Sequence, residues 1–277
     1  MLEETQYMSF YGMRVHLRIV LPEGKLRSRV MLLSSPLINS FHWRKLVPEL
    51  TQLGCMAVMI DLPGFGGSDC SMNVPQDALF RSSLLWGVLD EIDRLSGTPA
   101  SMWHLCAHGS ACATILEMAE MYPDSVKSQI HISPVLIAPR IEKSAPDEWF
   151  RANIRAEAGF RKLIERLSAY PLDDFIVDRM RAPLMRPGAR ENFLRMLRIG
   201  RRPPECGIGF CPAMALLGGR DPLTDEAQVN DRLAGAETHL LKSAGHFPME
   251  THSKALRDYL RGWIRYNDNI EENDAET

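Results

Sequence analysis

Leu105-Cys106-Ala107-His108-Gly109-Ser110-Ala111-Cys112-Ala113 joins an apolar run, Met102 to Cys106, to a segment of helical period, Ala111 to Met121, that stops before Pro123. A buried strand that passes into a helix across so few residues needs a sharp turn. Gly109 enters such strained backbone without a steric penalty. Outward from this turn the same alternation repeats. Val30 to Leu33 and Cys55 to Ile60 read as buried strands on the N-terminal side. Gln129 to Ile132, Ala213 to Leu217 and Thr238 to Leu241 do so on the C-terminal side. Met8 to Val20 reads as two short strands around a Tyr11-Gly12 turn. Helices are expected around Trp43, Leu46, Val47 and Leu50, over Leu79 to Leu95 with Gly97 closing it, and over Pro248 to Tyr266. Strands alternating with helices predict an α/β fold, a mostly parallel central sheet covered by helices on both faces.

Residues 140 to 205 break the alternation and read as helices only, with apolar stripes at Trp149, Phe150, Ile154, Phe160, Leu163 and Leu167. An all-helical insert between two strands is expected to form a cap over the C-terminal edge of the sheet. The division is therefore a core of residues 1–137 and 206–277 and a helical cap of 138–205. Residues 140 to 205 contain fifteen Lys/Arg against ten Asp/Glu, and thirteen of the fifteen are arginine. A solvated face is the plain reading. A sharper one has one or two arginines reaching an anionic or carrier-linked substrate. Met180, Met185 and Met196 read as core filler.

The whole chain has 277 residues, 45% hydrophobic and 24% charged, with a formal net charge of −3. That balance fits a globular domain and gives no electrostatic footprint for nucleic acid. Six cysteines without a CxxC pair read as buried thiols in a reducing compartment. MLEETQYMSF has neither a basic start nor an apolar run, and nothing approaches the ~18 apolar residues of a membrane span. A cytoplasmic protein without membrane contact is expected. No metal-ligand spacing, GxGxxG or GK[ST] loop occurs, so no metal or cofactor is implied.

The order of these pieces resembles the α/β-hydrolase superfamily, in its capped branch. The pieces are Asp61-Leu62-Pro63-Gly64-Phe65-Gly66-Gly67-Ser68, the strand-turn-helix at 105–113, the helical insert, Gly219-Arg220-Asp221-Pro222 and Gly245-His246. The likeness covers Met8 to Tyr266. It implies that Asp221 is the acid and His246 the base of a catalytic pair. A carboxylate on Nδ1–H fixes the imidazole tautomer and leaves Nε2 free to take a proton. The other histidines read as packed or exposed residues, with His108 a partial exception because it abuts the turn.

The resemblance fails at the nucleophile. The family's turn is small-x-nucleophile-x-small, with Ser, Cys or Asp at the centre. Two registers fit here. In one, Gly109 occupies the nucleophile position and leaves it vacant. In the other, Ser110 is the nucleophile and His108 must fill a crowded small position. In family members a proline commonly ends the next helix about fourteen residues on, and Pro123 lies fourteen after Gly109. Glycine also relieves a strain of ~1–3 kcal/mol that such a turn imposes on other residues. A second departure is Ser34-Ser35-Pro36-Leu37, where the family supplies a backbone N–H to an oxyanion. Pro36 occupies or adjoins that position and has no N–H. Losing one such donor costs ~2.7–4 kcal/mol of transition-state stabilisation, with Ser110 N–H, or the hydroxyls of Ser34 and Ser35, as remaining candidates.

The favoured expectation is an enzyme in which His246 and Asp221 act as general base on a small-molecule substrate without a covalent intermediate. Its reaction would be a lyase step, a cyclisation or elimination, or water-activated hydrolysis of an ester, thioester or carbonyl. The alternatives are an ordinary esterase or thioesterase built on Ser110, and a catalytically silent binding protein.

Overall fold

A computed structural model of the chain describes residues 2–97, 102–138, 146–200 and 206–270. Its strands are β1 (Leu2–Phe10), β2 (Met13–Leu21), β3 (Ser28–Leu33), β4 (Cys55–Ile60), β5 (Trp103–His108), β6 (Val126–Ile132), β7 (Ala213–Gly218) and β8 (Glu237–Leu241). They form one eight-stranded sheet in the order β1-β2-β4-β3-β5-β6-β7-β8. From β4 to β8 all pairings are parallel, while β1 and β2 run antiparallel at one edge. β3, β4, β5 and β7 are buried along their whole length, as strands covered on both faces must be. Tyr11 and Gly12 both adopt positive φ (52° and 75°), the primed two-residue turn whose twist matches the hairpin strands.

The core helices are α1 (Val47–Gln52), α2 (Ala78–Leu95) and α3 (Cys112–Met121). Between β6 and β7, in the described stretch 146–200, lie only helical elements. They are α4 (Pro146–Phe150), a π-type turn (Arg151–Arg155), α5 (Glu157–Ser168), α6 (Asp174–Arg181), a 3-10 turn (Ala182–Met185) and α7 (Ala189–Ile199). The expected boundaries of this segment run into 139–145 and 201–205, outside the described residues. Phe150, Ile154, Phe160, Ile164 and Phe193 are buried within it. Met180 and Met196 are buried as expected, whereas Met185 is exposed.

Two expectations need correction, and a third difference is a helix that none of them covers. The helix expected around Trp43 is a 3-10 turn, Ser40–Trp43, separated from α1, because Pro48 sits in the first turn of α1 and fixes where it begins. The helix expected over Pro248 to Tyr266 breaks at His252 (φ −131°, ψ 34°) into α9 (Pro248–Thr251) and α10 (Ser253–Asp268). There the His252 ring bonds Ser243 Oγ and Thr251 Oγ1, each at 2.9 Å, and these local partners hold the non-helical backbone. The third is α8 (Glu226–Arg232), not expected because Val229 is its one buried residue and no apolar stripe exists to read. Asp225 starts it by accepting from the N–H groups of Ala227 and Gln228.

Candidate active site

Asp221 follows β7 after a glycine pair, and His246 lies in the loop between β8 and α9. The two meet: His246 Nδ1–H donates to Asp221 Oδ2 at 2.8 Å. Leu223 N–H donates to Asp221 Oδ1 at 2.9 Å and the Thr224 hydroxyl to Oδ2 at 2.7 Å. Burial pushes the Asp221 carboxyl upward. The adjoining His246 ring and these hydrogen bonds outweigh it and hold the group below its ordinary value. With Nδ1–H so committed, the lone pair of His246 sits on Nε2.

Nε2 faces Gly109. β5 ends at His108, and Gly109 turns at φ +59° into a 3-10 turn, Gly109–Ala111, that runs on into α3. A Cβ built on Gly109 would stand 3.3 Å from His246 Nε2 and 3.2 Å from both Cβ and Oγ of Ser35. The Gly109 carbonyl is held by Val135 N–H at 3.1 Å.

Ser35 and His108 form a second pair in the same place. His108 is fully buried, and its Nε2–H donates to the His246 carbonyl at 2.7 Å. Burial, with the neighbouring His246 adding to it, pulls the His108 imidazole down to about 3, so it is neutral near pH 7. A neutral ring with its hydrogen on Nε2 must accept at Nδ1, and the Ser35 hydroxyl donates there at 2.8 Å. The one hydroxyl hydrogen of Ser35 is thereby used, so Ser35 Oγ offers only lone pairs to the space above Gly109.

Ser34 Oγ accepts from Trp43 Nε1–H at 2.9 Å, a structural bond. Pro36 is the second residue of a turn closed by Ile38 N–H to the Ser35 carbonyl at 3.1 Å, and Leu37 beside it is half-buried. Ser110 is half-buried in the 3-10 turn, while the hydrogen bonds of His246 run to Asp221, His108 and the Leu167 carbonyl instead. Of the six cysteines, Cys55, Cys70, Cys106 and Cys112 are buried and Cys206 and Cys211 partly so, all unpaired. Burial pushes the Cys55 thiol up to about 12 and drives Cys106 and Cys112 upward too, so none of the three presents a thiolate. Among the described residues no cluster of His, Cys, Asp and Glu suits a metal ion, and no helix is long and apolar enough to cross a membrane.

Other His–carboxylate pairs were missed from sequence, among them two that are buried or nearly so at long sequence separation. His42 Nδ1 meets Glu250 Oε1 at 2.9 Å, and Arg44 and Lys45 also reach Glu250. His16 Nδ1 meets Asp61 Oδ2 at 2.8 Å. The partners are 208 and 45 residues apart, with no local pattern to link them.

A family model described as "Alpha/beta hydrolase family" matches residues 34–259. Among solved structures, an epoxide hydrolase, CorEH, superposes with a TM-score of 0.76 at 15% identity, over 96% of this chain and 99% of that one. The haloalkane dehalogenase DbeA from Bradyrhizobium elkani gives 0.74 at 18% identity, over 97% and 100%. A thermophilic esterase from Thermogutta terrifontis gives 0.72 at 17%, over 96% and 99%. At these identities the likeness is one of fold.

Proposed function

The chain belongs to the alpha/beta hydrolase family, and on that premise we propose that it is an enzyme whose His246–Asp221 pair acts as a general base over a vacant nucleophile position, Gly109. One observation carries the reading: the residue facing His246 Nε2, whose Cβ would stand 3.3 Å away, has no side chain. An acyl- or alkyl-enzyme needs an oxygen or sulfur at that place, and glycine has neither. What remains is proton abstraction, and a positioned base of this kind contributes roughly 10²–10⁴ in rate.

The surrounding atoms narrow the chemistry. Nε2 of His246 and Oγ of Ser35 both present lone pairs, so the hollow favours a hydrogen-bond donor: a water molecule or a substrate hydroxyl. Removal of that proton leads to water-activated hydrolysis, or to lyase, cyclising or eliminating chemistry on a small carbonyl, ester or thioester. Pro36 gives no N–H to a developing oxyanion, which leaves Ser110 N–H as the backbone candidate and disfavours ordinary ester hydrolysis further. The segment 138–205, helical over its described stretch 146–200, serves as the cap that keeps bulk water from the base, and the substrate is a small molecule.

Intact-mass measurement after treatment with a fluorophosphonate and a β-lactone tests this. The wild-type chain is expected to stay unmodified. Gly109→Ser combined with Ser35→Gly, which removes the 3.2 Å contact, is expected to acquire one adduct at position 109. A stoichiometric wild-type adduct mapped to Ser110 would overturn the reading in favour of a covalent hydrolase.

A further inference from the structure

A cleft of about 670 Å³ opens between the β1–β2 hairpin, the loop after β4 and the helical segment. Alternation along β2 puts Arg14, His16 and Arg18 on one face, opposite Ser9, Tyr7 and Thr5 of β1. Arg179 of α6 and Arg186 line the other side. Among the lining residues Arg14, Arg179 and Arg186 thus stand with one carboxylate, that of Asp61. Asp61 is already engaged on both oxygens. Ser40 N–H donates to Oδ1 at 2.6 Å, while Gly67 N–H at 2.9 Å, His16 Nδ1 at 2.8 Å and the Ser40 hydroxyl at 3.3 Å meet Oδ2.

Three of the arginines are held by neutral groups. Arg186 Nη1 donates to the Gly66 and Ser68 carbonyls at 2.6 and 2.8 Å. Arg179 lies over the rings of Phe41 and Phe175, 5.2 Å from each centroid, and Arg14 over Tyr7 at 5.5 Å. Carbonyls and ring faces orient a guanidinium without cancelling its charge. The cleft therefore carries oriented positive charge from both walls.

We propose that this cleft is a binding site for a phosphate-bearing group, distinct from the hollow at Gly109. A carboxylate has one negative charge and two oxygens, enough for one guanidinium fork. A phosphate or diphosphate presents more charge and three or more oxygens, which matches arginines converging from two sides. Two strand places separate β4, at the cleft, from β5, at Gly109, about 10 Å at the ~4.8 Å strand spacing. One loop serves both: Ser35 stands against Gly109, and Asn39, Ser40 and Phe41 wall the cleft. A ligand anchored by its phosphate at one end would lie within reach of the other. The binding itself does not depend on His246 acting as a base.

Titration calorimetry of the full chain with inorganic pyrophosphate at fixed ionic strength tests the site. Saturable one-site binding is expected, weakened about tenfold or more by Arg14→Gln with Arg179→Gln. His246→Ala is expected to leave it unchanged, as is Arg151→Gln with Arg166→Gln, which removes the same charge from exposed positions outside the cleft. Arg14→Gln alone, at an exposed hairpin position, carries the test if the double variant unfolds, with a loss of about threefold or more expected. Absence of saturable heat would overturn the proposal. So would equal weakening by the Arg151/Arg166 pair, loss on His246→Ala, or tighter binding of malonate than of pyrophosphate.

Discussion

Ser35 and His108 decide what the space over Gly109 offers a ligand, because their mutual hydrogen bond turns a serine that ordinarily both donates and accepts into an acceptor alone. Nitrogen-15 NMR of the histidine side chains is the direct check. His108 is expected to keep its hydrogen on Nε2 from pH 8 to pH 5, since burial holds its titration near 3. A ring that charges near its ordinary value in that range would contradict the assignment. In the Gly109→Ser/Ser35→Gly background, adding His246→Ala is expected to slow adduct formation by roughly 10²–10⁴, the worth of a positioned base. The placement of Asp221, His246 and Gly109 was legible in the sequence because each sits in a local pattern: a glycine pair after an apolar strand, a Gly-His loop, a strand-to-helix turn. The Ser35–His108 bond was not, since its partners are 73 residues apart and the tautomer depends on an accepting carbonyl in a third segment.

At the level of elements, the joints between helices and loops carry the testable content. α5 ends with Ala169 in left-handed backbone at φ +60°, a position where glycine has no Cβ penalty. Ala169→Gly is expected to raise stability by about 0.5–1 kcal/mol, seen as a slightly higher midpoint in denaturant. The next joint is the opposite case. A Cβ on Gly245 would collide with the carbonyl oxygens of Leu167 and Ser168 at the end of α5. Gly245→Ala is expected to cost about 3 kcal/mol in the same measurement. The buried strands were each found, β4 without error and the start of β6 three residues late, because continuous apolar runs are what a doubly covered sheet demands. The break at His252 and helix α8 escaped, one set by side-chain bonds to Ser243 and Thr251, the other by a cap on a helix with little to bury.

Across the whole molecule, buried neutral histidines set the response to acid. His108 and His131 are each held near 3 by burial, so the folded chain stays uncharged there while the unfolded chain takes up protons below about 6.5. Each therefore removes about 1.4 kcal/mol of stability per pH unit as the pH falls below that value, and regains it as the pH rises. Glu250 is held at about 2, although burial alone would raise it, by His42, Arg44 and Lys45. Its contribution is present above about 4.5 and is lost on the way down to 2. Denaturant unfolding at pH 7 and pH 5 is expected to differ by about 3–4 kcal/mol, and His131→Leu to remove about half of that difference. The main-chain N–H of His246 donates to the Leu167 carbonyl at 2.7 Å, so the imidazole hangs from the helical segment as well as from the sheet. Warming that loosens α5 while the sheet stays intact would release the imidazole first. The chain would then lose the proposed base chemistry over a range of temperatures in which calorimetry still registers a folded protein, and would recover it on cooling.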